Sequence, residues 1–271
     1  MRDFEALLHE VSLSAKYRTL APAVIRRVAE REHQRTKSLK EALKQTKTTL
    51  HQITGAYQTQ RPHYTKALKA LEEAKQSGTE TEWKTSCLRL LASHASTAER
   101  LPFLEEFYTR IFALIPPPQT ILDLGCGLNP LTFPFMPLPT TTTYRAGDMD
   151  TEMTAFVSGF LRLAGVHGEG FLCDLLTPID VEALCKNPVD LVFLFKVLPL
   201  LDQWDKSAAP ALLRDLPAKT IVVSYPTRSL GGKGKGMAQN YTKRFESIVA
   251  GESWRITPLE FPNELCFVIE K

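Results

Sequence analysis

The sequence predicts an α/β fold: a doubly wound, mostly parallel sheet ending in an antiparallel pair, with an all-helical segment before it. Three observations carry this. Near-continuous apolar runs alternate with helical spans after residue 115, the pattern of parallel strands covered on both faces. The last two runs, WRITPLEF and ELCFVIE, are separated only by Pro262 and Asn263, which suits a hairpin. The charge also divides the chain. Residues 1–93 hold 17 Lys and Arg against 10 Asp and Glu, and residues 94–271 hold 16 against 20. A basic segment of +7 joined to one of −4 predicts two domains, 1–93 and 94–271, the first built to meet a polyanion.

At 271 residues and 44% hydrophobic, the chain can bury a sizeable core. No apolar run approaches the ~18 residues of a membrane span. Asp3 and Glu5 interrupt the first residues, which therefore do not read as a secretory signal. The five cysteines are scattered, with no CxxC pair, so reduced thiols, a cytoplasmic setting and no metal centre are expected.

The first helices follow from their punctuation. Pro22 suits a first helical turn, and Ile25, Val28 and Ala29 form one apolar stripe. Arg26, Arg27, Arg31 and Arg35 lie elsewhere around that helix. In the next, Ser38 and Glu41 make a capping box, and Gly55 is a stop. Leu39, Leu43, Leu50 and Ile53 are its expected buried face. Lys40, Lys44, Lys47 and His51 recur at helical pitch on a neighbouring face, a row that matches phosphates better than a small metabolite. Helices are also expected around Tyr64–Lys75 and Glu82–Ser93, and from Ala98 to Ile115, where three prolines end the last.

The strands then run TILDLG, TTYRAGD, GEGFLC, DLVFLFK and TIVVSY before the closing pair. In ILDLGCGLNP, Gly125 and Gly127 let the backbone approach a ligand closely, because glycine has no Cβ. Pro130 stands where a dinucleotide fingerprint has its third glycine, so an adenosyl ligand without pyrophosphate fits better. Asp148 and Asp174 end the second and third strands. Each reads either as a helix cap or as a ligand carboxylate, for ribose hydroxyls and the adenine amine respectively. This element order is that of a class I, Rossmann-like S-adenosylmethionine (SAM) methyltransferase.

The methyl acceptor can be narrowed chemically. The loop after the fourth strand, FKVLPLL, lacks the Asn/Asp-Pro-Pro-aromatic motif used on exocyclic amines, and it has no cysteine nucleophile for a pyrimidine carbon. A ring nitrogen with a free lone pair needs neither. Lys196 is then either a positioning group for a base oxygen or phosphate, or an ordinary strand-end lysine. SYPTRSLGGKGKGM follows the fifth strand and has no P-loop pattern. Lys233 and Lys235 are expected on phosphates.

HASTAERL (94–101), DLGCGLNPL (123–131), FKVLPLL, SYPTRSLGGKGKGM, KYRTL (16–20) and LHQITGAY (50–57) together resemble the aminoglycoside-resistance 16S rRNA methyltransferases acting on N7 of guanine 1405. The resemblance implies SAM as cofactor, 16S rRNA in the assembled 30S subunit as partner, and action as a monomer. It implies that Arg100 pairs with the SAM carboxylate. His94, Ser96, Gly125, Asn129, Asp148, Asp174 and Leu175 complete the cofactor set. Lys196, Arg228, Met237 and Glu264 surround a guanine flipped from its stack. Lys16, Arg18, Arg26, Arg27, Lys44, Lys47 and His51 are the expected rRNA contacts in the helical segment. A ribosome-binding or assembly factor with a non-catalytic fold, or an enzyme acting on a neighbouring base, remains compatible with the residues alone.

Overall fold

The computed structural model describes residues 2–55, 61–76, 78–177, 188–227 and 236–271. Helices α1 (Arg2–Ser12), α2 (Pro22–Arg35) and α3 (Leu39–Leu50) come first, and a π-helical turn (His51–Gly55) extends α3. Then follow α4 (Tyr64–Gln76), α5 (Glu80–Leu91), the single turn α6 (Ala95–Ala98) and α7 (Leu104–Phe112). Pro22 opens α2, and the Ser38 hydroxyl accepts from the Glu41 N–H at 3.2 Å, as a capping box requires.

Two local expectations change. The helix expected over Ala98–Ile115 is broken by a 3-10 turn at Leu101–Phe103 that contains Pro102. Proline lacks the amide that would continue the ladder. On α3, Leu39 is exposed, and the buried positions are Ala42, Thr46 and Leu50. Thr46 can be buried because its hydroxyl bonds back to the Ala42 carbonyl at 2.7 Å.

Seven strands form one sheet: β1 (Thr120–Leu124), β2 (Thr143–Asp148), β3 (Gly168–Leu172), β4 (Val189–Phe195), β5 (Ala218–Pro226), β6 (Arg255–Phe261) and β7 (Glu264–Glu270). Their order is β3-β2-β1-β4-β5-β7-β6. The first five are parallel, and β7 runs antiparallel between β5 and β6, the expected closing pair. Alternate residues face opposite layers. Leu122, Leu124, Val192, Leu194, Ile221 and Val223 face a core shared with α1–α3 and with α9 (Leu198–Trp204), α10 (Ala208–Asp215) and α11 (Met237–Val249). Ile121, Leu191, Phe193 and Val222 face a core shared with α4, α5, α7 and α8 (Thr151–Ala164).

The basic helical segment therefore serves two layers. Helices α1–α3 pack on one another, whereas α4 and α5 lie on the sheet's other side. There Tyr64 stacks on Phe156 of α8 with ring centroids 5.0 Å apart, and Trp83 stacks on Phe160 at 5.5 Å. The α1–α3 unit is stitched to the β2–α8 turn by main-chain bonds. Ala21 N–H donates to Met149 O at 2.8 Å, and Thr151 N–H to Thr19 O at 2.8 Å. Strand order reverses between β1 and β4, the place where open α/β sheets bind ligands.

Candidate cofactor cavity and RNA-facing groove

At that reversal, beyond the carboxyl ends of β1, β2 and β4, lies a cavity of about 490 Å³, within the size range of small-molecule sites. Its floor is the turn after β1. Gly125 (φ +65°) and Gly127 (φ +50°) hold left-handed conformations, and Gly125 N–H and Cys126 N–H both donate to Gly147 O. A Cβ at 125 would stand 2.7 Å from Val197 Cγ2, and one at 127 would stand 3.0 Å from His94 Cε1. Both positions thus need glycine, for the turn and for the space beside it.

Asp148 ends β2 at the cavity wall and caps no helix. Its Oδ2 accepts from Gly127 N–H at 3.0 Å and its Oδ1 from Met149 N–H at 2.7 Å. Burial raises its pKa to about 6 against those bonds, so it is ionised at neutral pH and can accept further donors. The α8 cap is Asp150, whose carboxylate also takes Thr19 Oγ1 at 2.9 Å and Arg61 at 2.9 Å. Met149, Leu175, Leu176, Leu200 and Leu201 give the cavity lining an apolar part. Burial, with the Lys196 charge nearby, lowers the His94 pKa to about 4, so this wall carries a neutral imidazole at pH 7. A carboxylate for a diol, an apolar lining for a flat ring and a glycine cradle fit an adenosyl group.

Behind the cavity sits a quartet of charges, three buried and the fourth, Glu99, part-exposed. Lys196 is the one non-glycine residue with positive φ (60°) among the described residues and is 3% exposed. Its Nζ donates to Glu99 Oε2 at 2.5 Å and to Ser96 O at 3.2 Å, and lies 3.9 Å from Glu264 Oε2. Arg100 grips Glu264 through Nε at 3.1 Å and a terminal nitrogen at 2.5 Å, while its other terminal nitrogen donates to Asn129 Oδ1 at 2.8 Å. The guanidinium carbon also lies 4.1 Å from the Phe107 ring centroid and 4.5 Å from that of Phe195. Two cations and two carboxylates balance.

The expected cofactor residues therefore divide. His94, Ser96, Gly125, Asp148 and Leu175 line the cavity. Arg100 and Asn129 stand behind the wall instead. Asn129 is tied to Arg100 and Tyr108 through its oxygen, and to Asp123 and Tyr144 through its nitrogen. Asp174 is absent from the lining next to Leu175 and is bonded to α2: Oδ2 accepts from Arg27 Nε at 3.1 Å and Oδ1 from Leu176 N–H at 2.9 Å. Of the base-facing set, Lys196 lines the cavity and half-buried Met237 opens α11. Glu264 is fully buried against Arg100. Arg228, Lys233 and Lys235 lie outside the described residues.

Among the expected RNA contacts, Lys16, Arg18, Lys44 and His51 are exposed. Arg26 pairs with Glu5 at 3.4 Å and Lys47 with Glu10 at 3.0 Å, both at the surface, and Arg27 is committed to Asp174. Lys16, Lys40, Lys44, Lys47 and His51 line one open groove along α3. Arg61 and Asp150 at the cavity were not foreseen; no motif marks them, and they meet only through the fold.

Residues 13–268 match the family model described as ribosomal RNA methyltransferase (FmrO). A 16S rRNA (guanine(1405)-N(7))-methyltransferase of Micromonospora rosea is 38% identical over 269 residues, covering 98% of this chain and 96% of the relative. Its namesake from Proteus mirabilis is 32% identical, covering 98% and 97%. The crystal structure of 16S rRNA methyltransferase RmtF in complex with S-adenosyl-L-homocysteine superposes with a TM-score of 0.85 at 31% identity, covering 100% and 99%. The 16S rRNA methylase RmtB gives 0.77 at 30%, covering 99% and 98%. A class I methyltransferase sheet, a glycine-floored adenosyl cavity and a basic groove beside it thus agree with the likeness along the whole chain, which belongs to the FmrO family of ribosomal RNA methyltransferases.

Proposed function

We propose that this chain transfers the methyl group of SAM to N7 of guanine 1405 of 16S rRNA in the assembled 30S subunit, and thereby blocks aminoglycosides. The observation that carries the reading is the adjacency of two sites. Lys16 and His51 line both the cofactor cavity and the basic groove, so RNA phosphates on α3 lie beside the methyl donor's site. The relatives' names supply the nucleotide.

When bound, SAM supplies a methyl group on a sulfonium, which a lone-pair nitrogen takes without losing a proton. The chain's own task is positioning and exclusion of water. Gly125 and Gly127 let main chain approach the ligand, Asp148 accepts ribose hydroxyls, and the apolar lining covers the adenine. Lys196 reaches the cavity with its ammonium held by Glu99, and is the described group placed to donate to a base oxygen or phosphate. Glu264 acts through the quartet: it neutralises Arg100 and keeps Lys196 oriented. Met237 is assigned to the target base, as is Arg228, with Lys233 and Lys235 assigned to RNA phosphates; these last three lie outside the described residues.

The chain acts as a monomer in the cytoplasm, with residues 1–93 as the ribosome-facing part and α1–α3 carrying its exposed cations. No helix among the described residues is long and apolar enough to cross a membrane. Methylation at N7 adds a positive charge and bulk in the decoding site, which repels polycationic drugs. Cells expressing the protein are expected to resist gentamicin and kanamycin. Full susceptibility to both, with the protein present and folded, would count decisively against the assignment.

A further inference from the structure

The helical unit that carries the basic groove also builds part of the cofactor cavity. Ala15, Lys16, Leu20, His51, Ile53 and Thr54 all line it. The unit is anchored one residue from Asp148, through Ala21 N–H to Met149 O and through a β-bridge between Leu20 and Asp150. The cavity and the groove are therefore neighbours joined by main-chain hydrogen bonds, and Lys16 lines both. Its ammonium lies over the Tyr17 ring at 5.8 Å, and no carboxylate pairs with it among the described residues. Lys47, further along the groove, is already paired with Glu10.

Resting on the methyltransferase reading above, we propose that Lys16 is a charge-selectivity residue which makes SAM affinity depend on whether RNA backbone occupies the groove. With the groove empty, the Lys16 charge stands unneutralised at the edge of a cavity that must accept a sulfonium cation, and like charges oppose binding. S-adenosylhomocysteine has lost that charge and meets no such penalty. A phosphate in the groove neutralises Lys16 or draws it outward, and the penalty falls for the methyl donor alone. Coupling of this kind is reciprocal, so SAM strengthens RNA backbone binding by the same factor. After transfer the neutral product cofactor loses that advantage. Substrate RNA thus selects the donor over the spent cofactor at the moment a methyl is needed.

The test is isothermal titration of the full-length protein with SAM and with S-adenosylhomocysteine, at low salt, with and without saturating polyuridylate, whose backbone lacks any guanine. Polyuridylate is expected to tighten SAM binding roughly three- to tenfold, the scale of one neutralised charge in a partly screened site. It should move S-adenosylhomocysteine by less than about twofold, since the charge-dependent term is absent. Lys16→Met, which keeps the apolar stem, should bind SAM more tightly than wild type without polyuridylate and lose the polyuridylate effect. Its melting curve reports whether it is folded. Equal shifts for both ligands, no shift for either, no polyuridylate binding, or an undiminished effect in Lys16→Met would each overturn the proposal. Failure of both cofactors to bind would instead overturn the methyltransferase reading on which it rests.

Discussion

Replacing Glu264 by Gln is the sharpest test of the charge quartet. The side chain keeps its shape, so no cavity opens, but the counter-charge to Arg100 disappears. Arg100 is 1% exposed and Glu264 is 0% exposed, so solvent cannot make up the loss. Burial alone would raise the Glu264 carboxyl pKa; the charges of Arg100 and Lys196 overcome this and hold it below the ordinary glutamate value. Breaking a buried pair by removing one partner costs about 3–5 kcal/mol. At roughly 2 °C per kcal/mol for a chain of this length, the melting point should fall by about 6–10 °C. The pair's contribution is full above the ordinary glutamate range and is lost as pH falls through the lowered value, so Glu264→Gln should also flatten the acid limb of the stability curve. The control is Arg100→Met with Glu264→Leu, which removes both charges and should recover most of the loss. Urea unfolding followed by tryptophan fluorescence measures all three proteins. A Glu264→Gln loss below about 1 kcal/mol, or a double variant as unstable as the single one, would refute the quartet as a mutually dependent unit.

Two further outcomes follow from the cavity and the groove. With its pKa near 6, Asp148 should lose its capacity as a ribose acceptor in mild acid, and SAM affinity should fall about tenfold per pH unit below that point. The sign for the fold is opposite: a raised carboxylate pKa means stability declines as pH rises from the ordinary aspartate range toward 6. Asp148→Asn should weaken SAM binding roughly 10- to 100-fold by calorimetry and flatten its pH dependence; an unchanged profile would remove Asp148 from the cofactor site. Changing Lys40, Lys44 and Lys47 together to Gln should abolish methylation of 30S subunits while leaving SAM affinity intact. The salt slope of subunit binding should fall by about 2–3, and an unchanged slope would show that phosphates do not bind there.

The elements were legible where one physical signal dominated. Pro22, the Ser38–Glu41 box and the apolar runs of β1, β4 and β5 mark their own positions, because caps and continuous burial leave local traces. The glycine turn and Asp148 were legible for the same reason: strand-end geometry and backbone clearance reside within a few residues. Arg100, Asn129 and Asp174 were less so. Each is polar and near the cavity, but a deciding partner comes from another element: Glu264 for Arg100, Arg100 for Asn129 and Arg27 for Asp174. Sequence shows that such a group needs a partner and does not show which one wins. The division of the helical segment was hidden likewise. The amphipathic face of α4 and α5 is the same whether it meets α1–α3 or α8; contacts such as Trp83 on Phe160, Tyr64 on Phe156 and Leu68 on Gly159 decide it.

The most direct measurement is nucleotide mapping. Unmodified 30S subunits are incubated with purified protein and SAM, and the 16S rRNA is treated with borohydride and aniline and read by primer extension. A strand break at guanine 1405 that requires both protein and SAM is the expected result. Methyl incorporation without that break, or at a neighbouring base, would contradict the assignment of guanine N7 at position 1405.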